Sequence, residues 1–173
     1  TWEDVTLSAG TFVVTPNEDP EKLHLGVDIT PTSDKLQDAS DINGGILVYP
    51  TIYGVVKKVV DGCKPLEKEN NCGKYGNHIE IKTNINVNPN EDETSYYLTR
   101  YAFLREGVLV NIGDEILRNE VGVGTGKKIL GKIGNSGLSK EVHLHLEIKR
   151  GVKKKDKIIE HYLNPAYFLP RTR

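Results

Sequence analysis

The chain has 173 residues, enough for one domain to bury a core without help from metals or disulfides. Its formal net charge is −1 with 27% charged residues, which leaves no electrostatic case for nucleic acid or an anionic membrane as partner. No run approaches the ~18 apolar residues of a membrane span, and a chain that starts at Thr1 with no Met and no signal-like segment reads as a mature form or an excised domain.

In chain order, short runs rich in β-branched and aromatic residues alternate with Gly, Asn and Asp. Strands are predicted over 46–49, 53–60, 78–82, 96–103, 115–117, 128–133 and 142–149. The stretch His78-Ile79-Glu80-Ile81-Lys82 alternates cleanly, which puts Ile79 and Ile81 on a buried face and His78 toward solvent. The basic run Lys153, Lys154, Lys155, Lys157 reads as a solvated hairpin tip, and His161 as a surface or structural residue. Asn164-Pro165-Ala166-Tyr167-Phe168-Leu169 allows one C-terminal helical turn with Pro at its start. Convincing helices are otherwise absent. The polar segments 32–43, 83–93 and 118–127 read as long loops bordering a groove, and Gly134-Asn135-Ser136-Gly137 as a tight turn. No internal repeat or linker divides residues 1–173, so the expectation is a single all-β domain with an antiparallel sheet or sandwich.

Cys63 and Cys72 bracket a polar, turn-rich segment between two strand-like runs. They fit a disulfide closing a short loop, which would point to an oxidising compartment, or else two free thiols. No other Cys or unassigned His nearby has the spacing of a zinc site.

Four residues carry chemistry. His24 and Asp28 stand in HLGVD, and His143 and His145 in HLHLE. On a strand, His143 and His145 point to the same face. His24 and Asp28 can reach one ion if the chain bends at Gly26, where a missing Cβ permits a tight approach. Two imidazoles and a carboxylate suit Zn²⁺, and three protein ligands leave a fourth position open, the mark of a catalytic rather than a structural site. The competing reading is an exposed loop pair and two strand histidines with no ligand role. The co-occurrence of both signatures argues against it.

With these residues in hand, the sequence resembles the LytM/lysostaphin-type zinc endopeptidases, which cut peptide bonds in bacterial peptidoglycan. HLGVDI looks like the family's HxGxDI segment, and GGILVYPTIYGVVKKV resembles the strand pair that follows it. YGNHIEIKT, GDEI and ILGKIGNSGLS are similar to successive family segments, HLHLEI to its terminal strand and LNPAYFLP to its closing tail. The match runs over about 24–169 and is specific as a series, where a lone HxH would be weak. The resemblance implies an all-β fold of the LytM type, zinc ligands at His24, Asp28 and His145, and His143 as a catalytic histidine beside the open position. It also implies peptidoglycan peptides as substrate and an extracytoplasmic setting, whether secreted, periplasmic, cell-surface or virion-associated.

One departure stands out. Family members usually carry a second catalytic histidine in a Y-x-H-L segment, and that segment here reads Tyr101-Ala102-Phe103-Leu104. No histidine lies between His78 and His143, so no shift of register restores one. His78, Tyr97, Arg100 and Tyr101 are the candidates for a substitute donor. Two functions follow from the resemblance: a zinc endopeptidase slowed by Phe103, or a non-catalytic zinc-binding module that works through a protein partner in a cell-envelope or phage assembly.

Overall fold

The computed structural model describes residues 5–8, 24–31, 45–67, 72–85, 93–154 and 157–169. Among them there is no α-helix, and ten strands carry the fold: β1 Val5–Ser8, β2 Val27–Pro31, β3 Leu47–Val48, β4 Gly54–Val60, β5 Asn77–Ile85, β6 Glu93–Leu104, β7 Glu115–Ile116, β8 Gly131–Lys132, β9 Leu144–Lys154 and β10 Lys157–Leu163. The main antiparallel sheet runs in the order β1-β2-β9-β6-β5-β4-β7, and β10 pairs with β9. β2 covers the first part of β9, with Val27 opposite Leu146 and Ile29 opposite Leu144, and β10 covers the rest. The short pair β3–β8 stands apart from this sheet.

All seven strands expected from the sequence are present, with shifted ends. Residues 83–85 extend β5 and Glu93 opens β6, so only part of the expected 83–93 loop is left, and its middle lies outside the described residues, as does 32–43. The sequence reading missed β1, β2 and β10. β2 is five residues long and shares its sequence with the HLGVD signature, so too few positions remained to show alternation. The basic run falls at the β9–β10 hairpin. Pro165–Tyr167 forms a 3₁₀ turn whose Asn164 side chain accepts from the Ala166 amide.

Register sorts the two faces of the sheet. Directly opposed residues share a face, so Ile79, Tyr101 and Leu146 form one row and Glu80, Arg100 and Glu147 another. The first row belongs to the core, with Ile79, Ile81, Tyr101, Leu104, Leu130 and Leu146 all at 0% exposure. Each such side chain contributes about 1.5–3 kcal/mol by leaving water. The β3–β8 pair adds Val48 to this core, and Leu130 and Ile133 flank β8 there. The second row lies on the opposite face, which is the polar one.

Cys63 and Cys72 form a disulfide. Its loop is clamped by Asn77, whose side chain accepts from the Cys63 amide at 2.7 Å and donates to the carbonyls of Cys63 and Leu104 at 3.1 Å. Gly76 and Gly137 touch here: a Cβ on Gly76 would come within 2.4 Å of the Ser136 backbone, and Gly76 also has φ +58°. Closing a loop this short stabilises the fold by about 2–3 kcal/mol through the unfolded chain. Replacing Cys63 and Cys72 together by Ala is expected to lower the unfolding free energy by about that amount, read as a lower denaturant midpoint at unchanged slope.

Candidate metal centre

The register that builds the core also builds a site on the other face. Asp28 stands opposite His145 across β2–β9, and His145 stands opposite Ala102 across β9–β6. His24 precedes β2 and reaches the same place because the chain bends at Gly26. A Cβ on Gly26 would lie 2.4 Å from the Leu146 carbonyl oxygen and 2.8 Å from the His145 ring. Only a glycine lets the two strands close here.

His24, Asp28 and His145 bring one ligand atom each within 4.8 Å of one another. The Asp28 Oδ1 atom is the meeting point, 3.1 Å from His24 Nε2, 2.7 Å from His145 Nδ1 and 3.6 Å from His143 Nε2. A tetrahedral zinc with bonds of about 2.0–2.1 Å holds its ligand atoms about 3.3 Å apart. The spacings of 3.1 and 2.7 Å from Asp28 Oδ1 are 0.2 and 0.6 Å short of that, and two imidazole nitrogens with one carboxylate oxygen are a donor set that zinc accepts. The cluster therefore fits a metal ion.

Electrostatics favour the ligand-competent carboxylate. Burial alone would push Asp28 up, but hydrogen bonds to His145 and His24 and the nearby charges of His143 and His145 hold it well below the usual carboxylate range. Burial pushes His145 down, while its bonds to Asp28 and Glu147 more than offset this and raise it. Glu147 is held low: burial opposes ionisation, and the His145 hydrogen bond, the Arg100 charge and the Tyr75 hydroxyl overcome it.

His143 lies just before β9, bridged to Gly134. Its Nδ1 is 3.0 Å from the Glu141 carbonyl oxygen and 3.1 Å from Ser139 Oγ, and the Ser139 hydroxyl itself donates to the same carbonyl at 2.6 Å. A carbonyl only accepts, so the Nδ1 atom donates to it and Nε2 is the ring atom turned toward Asp28. His143 is thus placed beside the cluster without belonging to it.

Phe103 lies against both histidines, its ring centroid 4.8 Å from that of His143 and 5.7 Å from that of His145. A bulge puts it there. Between the pairs Asn77–Leu104 and Ile79–Tyr101, β5 supplies one residue, His78, where β6 supplies two, Ala102 and Phe103. Phe103 takes φ +60° and its amide donates to the Tyr75 carbonyl at 3.0 Å. That backbone costs a non-glycine residue about 1–2 kcal/mol and re-aims the side chain toward the histidines.

Three of the four candidate substitutes are engaged elsewhere, and the fourth, His78, has its Nε2 buried without a hydrogen-bond partner among the described residues. Tyr101 is buried on the core face and its hydroxyl meets Thr51. Tyr97 packs on Phe168, and Arg100 is paired with Glu80 and Glu147. His78 corrects the sequence reading: it is 3% exposed rather than solvent-facing, because it sits in the bulge with Tyr75 packed beside it. Its Nδ1 meets the Gly76 carbonyl at 2.7 Å, and burial pulls its pKa down. The loop 118–127 is anchored by a Gly122 amide bond to the Pro50 carbonyl and by Arg118 stacked on Tyr53. Sequence reasoning did not single out Glu147, which hydrogen-bonds His145, or Tyr75, which hydrogen-bonds Glu147 from the turn before β5; the HLHLE signature contained the first of them in plain view.

No protein-family model and no curated protein sequence matches the chain. Solved structures do. The catalytic domain of the antimicrobial peptidase lysostaphin from Staphylococcus simulans aligns at TM-score 0.51 and 19% identity, covering 96% of this chain and 93% of that one. The chain has the lysostaphin catalytic-domain fold. A variant of the catalytic domain of the prophage-encoded M23 protein EnpA from Enterococcus faecalis aligns at TM-score 0.49 and 18% identity, covering 94% and 89%. A zinc-containing peptidase from Vibrio cholerae aligns at 0.48 and 21% identity, covering 90% of this chain and 35% of that one. The lysostaphin-type fold is the all-β antiparallel architecture that the sequence led us to expect.

Two outcomes follow from this geometry. Gly26→Ala is expected to weaken metal binding about 10–100-fold, in the range for a lost outer-shell contact, with the strand signal in circular dichroism retained; titration against a chelating dye measures it. His78, whose pKa is depressed on folding, contributes stability that is present above its unfolded value of about 6.5 and is lost as pH falls through the folded value. In metal-free protein, His78→Leu is therefore expected to lose less stability than the native chain between pH 7 and 5, compared by denaturant unfolding at each pH.

Proposed function

We propose that this chain is a zinc-dependent endopeptidase acting on peptide cross-links of bacterial peptidoglycan, with turnover slowed by Phe103. The observation that carries this reading is His143. Its Nδ1 is tied to the Glu141 carbonyl, which leaves Nε2 3.6 Å from Asp28 Oδ1, turned toward the cluster. A module that only binds zinc has no use for a histidine oriented in this way. The lysostaphin-type fold and the motif series support the substrate class, and the Cys63–Cys72 disulfide supports an extracytoplasmic setting. No helix among the described residues is long and apolar enough to cross a membrane.

In this reading His24, Asp28 and His145 hold the zinc. Bound there, the ion would bring the pKa of a water at its open position toward ~7 and polarise the scissile carbonyl. His143 Nε2 accepts the proton of the attacking water, and the Glu141 carbonyl steadies the imidazolium that forms. Asp28 stays ionised throughout, because both flanking imidazoles favour its charged form. The leaving side lacks a donor: a phenyl ring neither gives up a proton nor hydrogen-bonds an oxyanion. Losing one such group typically costs on the order of 10²–10³ in rate.

Phe103 also supports a second reading, a zinc-binding module without turnover that serves a protein partner. Digestion of purified peptidoglycan separates the two. We expect one zinc per chain and slow release of peptide fragments by the native protein, with Phe103→His raising the rate about 10²–10³-fold. Zinc without release, before or after that substitution, would establish the binding module instead. His145→Ala is expected to abolish stoichiometric zinc while His143→Ala retains it, by metal analysis of the dialysed proteins; equal loss from both would reverse the assignment of ligand and base.

A further inference from the structure

Behind His145, on the face away from Asp28, four side chains form a nearly dry charged network. Glu147 is 2% exposed. Its Oε1 lies 3.2 Å from His145 Nε2 and accepts from the Tyr75 hydroxyl at 2.6 Å, while its Oε2 takes Arg100 Nη1 at 2.6 Å. The other edge of the Arg100 guanidinium donates to Glu80 Oε1 from Nε at 2.9 Å and Nη2 at 2.7 Å. The guanidinium carbon stands 4.1 Å over the Tyr75 ring.

Stability does not explain such a network. Buried ion pairs cost so much desolvation that apolar residues of the same volume often serve as well or better. What the network does have is a terminus, and that terminus is one nitrogen of a metal-cluster imidazole. A neutral imidazole has one N–H and one lone pair. Glu147 and Asp28 can both only accept, at Nε2 and at Nδ1 2.7 Å from Asp28 Oδ1, so an ion that displaces the Nδ1 proton would leave the Nε2–H directed at Glu147 and the lone pair on Nδ1. The contrast within the cluster is direct: His24 Nδ1 is buried with no hydrogen-bond partner among the described residues.

Resting on the zinc reading above, we propose that Glu147, held by Arg100 and Tyr75, is a positioning residue that fixes the tautomer and orientation of His145 for the metal, making His145 the anchored ligand and His24 the compliant one. Glu80 extends the clamp by fixing the far edge of the Arg100 guanidinium. The network runs through β5, β6, β9 and the turn bearing Tyr75, so every sheet strand beside the site on that flank contributes to the aim of one imidazole.

Zinc affinity by chelator competition, and the visible spectrum of the cobalt-substituted protein, test this. Glu147→Gln keeps the shape, and Arg100 keeps Glu80 as counter-charge. We expect zinc to bind 10–100-fold more weakly in this variant, with shifted cobalt bands, while metal-free unfolding stays near native. If Glu147→Gln does not fold, the combined Glu80→Gln, Arg100→Met and Glu147→Met variant removes the buried charges together and takes the same readouts. Native-like zinc affinity and cobalt bands in a folded variant would overturn the positioning role while leaving the zinc site standing. Absence of zinc binding by the native chain would remove the zinc reading itself, and the positioning role with it.

Discussion

The structure depends on one pairing, Asp28 against His145 across β2 and β9. Side chains in a strand alternate, so a slip of one residue in this register would turn the carboxylate and the imidazole into the core and bring Val27 and Leu146 out into water. Core packing and site assembly are therefore the same event. Val27, Ile29, Leu144 and Leu146 hold the register by being buried, and Asp28 and His145 inherit their positions from it. The His–Asp cluster needs no scaffold of its own because the hydrophobic pattern already supplies one.

The polar face of the sheet is organised outward from that pairing. Asp28 gathers His24 and His143 on one side of His145, and Glu147 gathers Arg100 and Tyr75 on the other. The two halves have opposite logic. One side turns ring nitrogens toward a single carboxylate oxygen; the other sets one guanidinium between two carboxylates. His145 belongs to both, which is why the sign of its shift reflects two carboxylates more than its burial. Tyr75 ties this arrangement to the disulfide loop, since its hydroxyl donates to Glu147 and its carbonyl receives the Phe103 amide.

Much of this was legible in the sequence, and what was not has physical reasons. The alternation in His78–Lys82 revealed a core face because Ile79 and Ile81 differ sharply in polarity from their neighbours. The two histidine signatures pointed to one cluster because few other arrangements use those residues at those spacings, and the structure brings His24, Asp28 and His145 together as a group that could hold a metal ion. His78 was misjudged because alternation holds only in regular strands, and a bulge on the partner strand is not written in the residues of β5. The aim of Phe103 was equally hidden, since a positive φ on an aromatic residue contradicts local preference and is imposed by the neighbouring backbone. Glu147 was overlooked as a polar strand residue, for its partners Arg100 and Tyr75 come from distant segments that only the sheet brings alongside.

The separation of 117 residues between Asp28 and His145 has a consequence for the timing of function. During synthesis or export, β2 has no partner for this register until nearly the whole stretch up to β9 has emerged, and closing so long a loop is among the slower steps in building a sheet. A nascent chain that ends anywhere before β9 holds His24 and Asp28 without the third donor. Any metal it meets is held by two side chains on a mobile segment, with neither His143 nor the Arg100–Glu147 clamp in place. Assembly of the cluster is thereby deferred until the sheet is complete.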